Sequence, residues 1–285
     1  MILEGLREIR EDRHSGASQL TLKALKVLRL AAENVEADSL EDFLLRLKVI
    51  GVKIREAKPS MAPLAHMAGK FLWNVRKALE NQEYSLEGAR LVAATLAEKL
   101  AREHVEALRL AALNAAQLLV GGCLVATCSY SSQVAEAIGL AKARGNPLKV
   151  LVAASKHRGI SHGLTLASKL RRKGVKVEVF ADERLDAMAS QASIILLGAD
   201  ALLPEGSIIN GWPSLKLAEA AAKRGRPVYV VCDSSKISPY NLKPEEGFDL
   251  VAARLIRGIA MEMGVLRPEE LSRLAYRVEG YWRML

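Results

Sequence analysis

The 285-residue chain can form one large domain or two ordinary ones, and with half its residues hydrophobic either choice buries a substantial core. Its apolar stretches are broken by charge well short of the roughly 20 residues of a membrane span. Met1-Ile2-Leu3-Glu4 also lacks the basic-then-apolar layout of a secretory signal, so no membrane and a cytoplasmic setting are expected. The net charge of +9 raises nucleic acid as a partner, but bases alternate with acids in runs such as Arg7-Glu8-Ile9-Arg10-Glu11-Asp12-Arg13. With aromatics at 5%, a solvated, ion-paired surface is favoured and nucleic acid disfavoured.

The first 120 residues or so read as helical. From Ser18, the residues Leu20, Ala24, Val27, Leu28, Ala31 and Val35 recur at the three- and four-residue spacing of an amphipathic stripe. Asp38-Ser39 offers a cap to Leu40–Ala57, which Pro59 closes. A third segment, Met61–Leu79, ends at the polar run Glu80–Glu83, and Ser85 caps a long stretch from Leu86 to Leu119. At Gly121-Gly122 the pattern changes. Apolar runs at Cys123–Thr127, Val150–Ala154, Lys176–Phe180, Ser193–Leu197, Ser207–Ile209 and Val228–Val231 suit strands covered on both faces. Between them Ser132–Ala143, Gly163–Lys173, Arg184–Ala189 and Pro213–Lys223 suit crossover helices, with Gly145, Gly174 and Gly225 after three of them. This predicts an α/β fold: an N-terminal helical domain over 1–120, then a Rossmann-like, doubly wound parallel sheet over 121–285.

In such a sheet, ligands bind where strands end and helices begin. The first strand leads into Thr127-Cys128-Ser129-Tyr130-Ser131-Ser132, where five of six side chains hydrogen-bond, suiting either a phosphate at a helix start or a simple cap from Ser131 or Ser132. The second leads into Ser155-Lys156-His157-Arg158-Gly159, which suits an anion or a solvated basic loop. Asp200, after a very apolar run, is an acid/base candidate or a cap, and Asn210 tethers ligand hydroxyls or braces its turn. Cys123, Cys128 and Cys232 form no CxxC pair and read as reduced thiols; the five histidines show no zinc spacing, so no metal is expected. Without GxGxxG or GxxxxGK[ST], no dinucleotide cofactor or P-loop is supported. The abundance of Glu, Arg and Lys over Asn and Gln suits a thermophile.

Taken in order, several segments resemble the translation initiation factor 2B alpha/beta/delta family, which includes ribose-1,5-bisphosphate isomerase and methylthioribose-1-phosphate isomerase. They are Ser15-Gly16-Ala17, Met61-Ala62-Pro63-Leu64, Gly198-Ala199-Asp200-Ala201, Gly206-Ser207-Ile208-Ile209-Asn210, Pro227–Val231 followed by Lys236, Phe248-Asp249 and Gly264-Val265-Leu266. The resemblance implies a ligand site drawn from Gly16, Ala17, Thr127, Ser131, Ser132, Lys156, Arg158, Asn210 and Lys236 for a sugar phosphate or nucleoside monophosphate. It also implies pairing of subunits through the α/β domain and, as a partner, translation initiation factor 2. The enzymes of this family isomerise an aldose phosphate with a cysteine after the first strand and the aspartate of Gly-Ala-Asp. Asp200 is kept, whereas alignment puts Ser129 on the cysteine position and Cys128 one residue early, on the opposite face of an extended strand. The Asn-Lys-Ile-Gly-Thr run of the enzymes is here Asn210-Gly211-Trp212-Pro213-Ser214. Two readings follow: a non-catalytic member acting through protein association, or a divergent isomerase using Asp200 with Cys128.

Overall fold

The computed structural model describes residues 1–12, 14–80 and 83–285; Arg13 of the interleaved run, and Asn81 and Gln82 of the polar run after residue 80, lie outside them. Five helices come first: α1 (Ile2–Glu11), α2 (Ala17–Asn34), α3 (Leu40–Ala57), α4 (Ala62–Leu79) and α5 (Leu86–Ala116). Two start where a serine hydroxyl accepts an otherwise unpaired amide, Ser39 from Asp42 N–H and Ser85 from Gly88 N–H, each at 3.1 Å. Lys58, ahead of Pro59, leaves helical geometry and ends α3. The α2 stripe is buried as far as Ala31, packed among α3, α4 and α5. Each such Leu or Val contributes roughly 1.5–3 kcal/mol by leaving water.

The 31-residue α5 serves two cores. Ala89, Ala93, Ala97 and Leu100 face the helices, whereas Ala111, Ala112, Ala115 and Ala116 lie against the sheet. Small residues let helix and strands approach closely. After α5 the chain alternates as β1 (Leu124–Thr127), α6 (Ser132–Ala143), β2 (Lys149–Ala153), a hairpin of β3 (Lys156–His157) and β4 (Ile160–Ser161), α7 (His162–Arg172), β5 (Lys176–Phe180), α8 (Leu185–Gln191) and β6 (Ile194–Leu197). There follow β7 (Ala201–Leu202), β8 (Ile208–Gly211), α9 (Ser214–Lys223), β9 (Val228–Val231), β10 (Phe248–Val251), β11 (Gly258–Met261), β12 (Gly264–Leu266) and α10 (Leu271–Trp282).

The main sheet has the order β12-β11-β9-β6-β1-β2-β5, parallel except for β12. From β1 the chain winds outward to β2 and β5, then returns to place β6 on the other side of β1. The order therefore reverses between β1 and β6, and a crevice opens beyond their carboxyl ends. Gly145, Gly174 and Gly225 do take left-handed φ of 85°, 73° and 63° after their helices.

The Ser207–Ile209 run does not join the parallel sheet. As β8 it is the middle strand of an antiparallel sheet, β10-β8-β7. The turn at Leu203–Ser207, closed by Leu203 N–H to Ser207 O at 2.8 Å, sends it straight back along β7. The carboxyl end of the chain returns to the helices: α10 packs on α4, where Gly69 lets the Tyr281 carbonyl approach, and Leu285 reaches Gly51. No helix among the described residues is long and apolar enough to cross a membrane.

Candidate functional site

A cavity of about 240 Å³ lies at the β1/β6 reversal. Four chain segments far apart in sequence make its walls. The α1–α2 loop contributes Asp12, His14, Ser15 and Gly16; the α3–α4 connection, Lys58 and Met61; the β3–β4 hairpin and α7 start, His157, Arg158 and His162; and the loop before β10, Glu245, Glu246 and Gly247. Ser129, Tyr130, Asp200, Gly211 and Trp212 supply the floor and one flank.

Local hydrogen bonds set each wall. Asp12 accepts the His14 and Ser15 amides and pairs with Lys23 at 2.6 Å, so burial, which would raise its carboxyl, is outweighed and the group sits well below the usual range. The Asp182 carboxylate accepts the amides of Ser155 and Lys156 at 2.7 and 2.9 Å, pinning the loop that carries the hairpin. Arg158 engages Glu246 through two nitrogens, and the Ser60 amide donates to Glu245 at 3.0 Å, joining two walls. Burial first, then the neighbouring His14 and His157, push the His162 imidazole below its ordinary value, so three imidazoles share this mouth.

The floor is decided by one residue's backbone. Ser129 adopts φ 59°, a left-handed conformation that costs a non-glycine residue of order 1–2 kcal/mol. Its amide donates to Ser155 Oγ at 2.7 Å. Its side chain turns up against Gly211, where any Cβ would lie 2.2 Å from Ser129 Oγ. Cys128, one residue earlier, faces down. It is 1% exposed, with Sγ 3.3 Å from Ser214 Oγ. Ser214 gives its single proton to Gly211 O at 2.6 Å and accepts from Asn210 Nδ2 at 2.8 Å. With that proton engaged, the thiol is the donor to Ser214, and burial, the largest cause, pushes it up to about 12.

Of the residues named from sequence, Gly16, Ser129, Arg158 and Asp200 meet at the cavity. Asn210 lies under the floor, bracing the turn through Ser214. Ser131 caps α6 by accepting the Val134 amide, and Ser132 is the first residue of that helix. Thr127 and Ala17 are buried, and Lys156 is exposed away from the walls. Lys236 is 2% exposed and lies behind Asp200 as its principal positive neighbour. Asp200 is held by both backbone atoms, its N–H to Ile209 O and its carbonyl from Ala62 N–H, and burial raises its carboxyl, partly offset by Lys236. Sequence reasoning missed Asp12, His14, Lys58, Glu245 and Glu246, which sit in loops with no strand-end signal.

Behind the site lies a buried charged group. His104 of α5 places Nδ1 3.2 Å from Asp233 Oδ2, and both residues are within 2% of complete burial. Burial alone would raise Asp233, but His104, then Lys236 and Ser235, hold it well below the usual carboxylate range.

A helical layer capping the reversal point of a doubly wound sheet, with a mixed-charge cavity between them, defines a doubly wound α/β protein with a candidate ligand site. Residues 13–246 match the Initiation factor 2 subunit family, and the chain belongs to that family. It is 30% identical to a protein of Pyrococcus horikoshii named as translation initiation factor eIF-2B subunit 2-like, over 94% of this chain and 96% of the relative. Ribose 1,5-bisphosphate isomerase of Haloferax volcanii is 24% identical over 79% of this chain and 67% of its own length. The crystal structure of translation initiation factor eIF-2B from Pyrococcus horikoshii superposes with a TM-score of 0.82 at 27% identity, covering 94% of this chain and 98% of that one. A chain of the tetrameric eIF2B-beta2-delta2 complex of C. thermophilum shares the fold at a TM-score of 0.84 and 18% identity, over 97% and 94% of the two chains.

Proposed function

We propose that this chain is a non-catalytic member of its family, working in the cytoplasm. Its cavity binds a sugar phosphate or nucleoside monophosphate, and it acts through association with a second copy and with translation initiation factor 2. The observation that carries this reading is the thiol. An aldose–ketose isomerisation needs two groups that exchange a proton across adjacent carbons. Asp200 qualifies as one, but Cys128 is turned away beneath the floor and held protonated by burial, while the cavity meets the alcohol of Ser129. The aromatic flank of Tyr130 and Trp212 with the neighbouring cations suits a sugar or base bearing phosphate.

The test is incubation of the pure protein with ribose 1,5-bisphosphate, the substrate in the name of several relatives. No ribulose 1,5-bisphosphate is expected. Turnover that Asp200→Asn abolishes would overturn the reading. A thermal-shift panel of pentose bisphosphates and nucleoside monophosphates tests the ligand; a binder at 100 times its Kd adds about 2.7 kcal/mol. The raised carboxyl of Asp200 favours the second reading, a divergent isomerase pairing Asp200 with Cys128. Cys128→Ser discriminates: activity that survives it removes the thiol from that mechanism.

A further inference from the structure

Along the edge of the main sheet opposite the cavity, where strands begin and crossover helices end, the connections entering β2, β5, β9 and β11 are rich in cations. The connection from α6 to β2 reads Lys142-Ala143-Arg144-Gly145-Asn146-Pro147-Leu148-Lys149. That from α7 to β5 reads Arg171-Arg172-Lys173-Gly174-Val175-Lys176, and that from α9 to β9 reads Lys223-Arg224-Gly225-Arg226-Pro227. Arg257 precedes β11. None of these segments contains Asp or Glu, and every one of these lysines and arginines is exposed. The interleaving of charge seen in α1 is absent at this edge.

Few of them are neutralised. Lys149 pairs with Glu178 and Lys173 with Glu136, while Arg171 and Arg226 donate to the carbonyls of Val177 and Ser190. Lys142, Arg144, Arg172 and Lys176 on one side, and Lys223, Arg224 and Arg257 on the other, make no hydrogen bond or ion pair from their side chains among the described residues. Helix dipoles account for cations in last turns, such as Lys142, Arg172 and Lys223. They do not account for Lys149, Lys176, Arg226 and Arg257, which stand at strand starts.

The sheet aligns these groups. Lys149 and Lys176 are register partners on β2 and β5, and Arg257 N–H bonds Val228 O, bringing β9 and β11 level. From β11 to β5 there are five strand spacings, so the two cationic groups, at β11-β9 and at β2-β5 with the uncharged starts of β6 and β1 between them, together span about 24 Å at ~4.8 Å each. A nucleic-acid strand at 3.4 Å per step covers that length in about seven nucleotides. Protein interfaces draw on a desolvated apolar centre, yet among the described residues the exposed large apolar side chains near this edge, Val120 of the α5–β1 connection and Val265 of β12 beside Gly258, are few and scattered. Cations with so little apolar surface among them match a phosphate backbone, whose contacts position a strand without reading its bases.

We propose that this edge binds the phosphodiester backbone of nucleic acid without sequence selectivity. The assay is fluorescence anisotropy of the full chain with a labelled 20-nucleotide single-stranded RNA and a 20-base-pair DNA duplex, from 50 to 200 mM KCl. Engagement of four to seven phosphates gives a slope of log K against log salt of about −3 to −6. Arg144→Gln, Arg172→Gln, Lys176→Gln and Arg224→Gln combined lower affinity at least tenfold and make the slope shallower by about 3, with melting unchanged. Arg7→Gln, Arg46→Gln and Arg109→Gln combined, on the helical face, change neither. The tighter of the RNA and DNA arms identifies the source of the backbone. Absence of binding at 50 mM KCl, or an unaltered slope in the first variant, overturns the proposal. So does polyglutamate of equal charge competing as well as RNA, which assigns the edge to an acidic protein. The result is independent of any ligand in the cavity.

Discussion

Replacing Asp233 by Asn keeps the shape of the side chain and removes a buried charge, which makes the energetics of the group behind the site measurable. Asp233 and Lys236 are 1% and 2% exposed, and the Lys236 ammonium has no ion pair within 4 Å among the described residues; its opposite charges are Asp233 and Asp200. His104 and the Ser235 amide, both 3.2 Å from one carboxylate oxygen, are left with at most a neutral amide oxygen as acceptor. Breaking such a buried group by deleting one partner costs about 3–5 kcal/mol. With an unfolding entropy near 2.1 cal/mol/K per residue, 285 residues give about 0.6 kcal/mol/K, so Tm falls by about 5–8 °C at pH 7. Lys236→Met alone costs less, because Asp233 keeps His104 and Ser235. The double variant is less destabilised than the sum of the two, by about 1–3 kcal/mol. The assay is calorimetric melting of the four proteins. A change below about 2 °C for Asp233→Asn, or strict additivity, would refute the claim that these charges compensate one another.

Gly69→Ala drives a Cβ to 2.0 Å from the Tyr281 carbonyl, so α10 must leave α4; a cost of about 3 kcal/mol is expected from denaturant unfolding. Gly211→Ala meets Ser129 Oγ at 2.2 Å and costs about 1–3 kcal/mol, and adding Ser129→Gly restores part of it by removing the clash and the left-handed strain. His66, buried with Nδ1 donating to Ile237 O, is pushed by burial from 6.5 down to about 4. The unfolded chain binds a proton below 6.5 that the folded chain refuses, so stability from the neutral imidazole is complete above pH 6.5. It is lost as pH falls toward 4, by about 3 kcal/mol at 1.36 kcal/mol per pH unit. His66→Gln flattens that limb of the pH–stability curve.

Much of the architecture is legible residue by residue. Ser39 and Pro59 bracket α3, Ser131 caps α6, and the apolar run at 176–180 is β5, because caps, proline geometry and periodicity act within one turn or one strand. The run at 207–209 was expected in the parallel sheet because it is as apolar as the covered strands. Its partners, Ala201-Leu202 and Phe248–Val251, come from a tight return and from a segment far along the chain, which no local pattern specifies.

The cavity divides in the same way. Strand-end placement found Ser129, Arg158 and Asp200, and family resemblance supplied Gly16. Asp12, Lys58 and Glu245 were silent because they become neighbours only when α1–α4 settle over the sheet. The clearest case is the pair Cys128 and Ser129. Alternation along an extended strand predicts opposite faces for them, and that prediction is as far as the sequence goes by itself, since β1 ends at Thr127. Which face is floor and which is cavity depended on the left-handed turn at Ser129, the close approach of Gly211 and the hydroxyl of Ser214. Those contacts join residues more than 80 positions apart, and only the folded chain creates them.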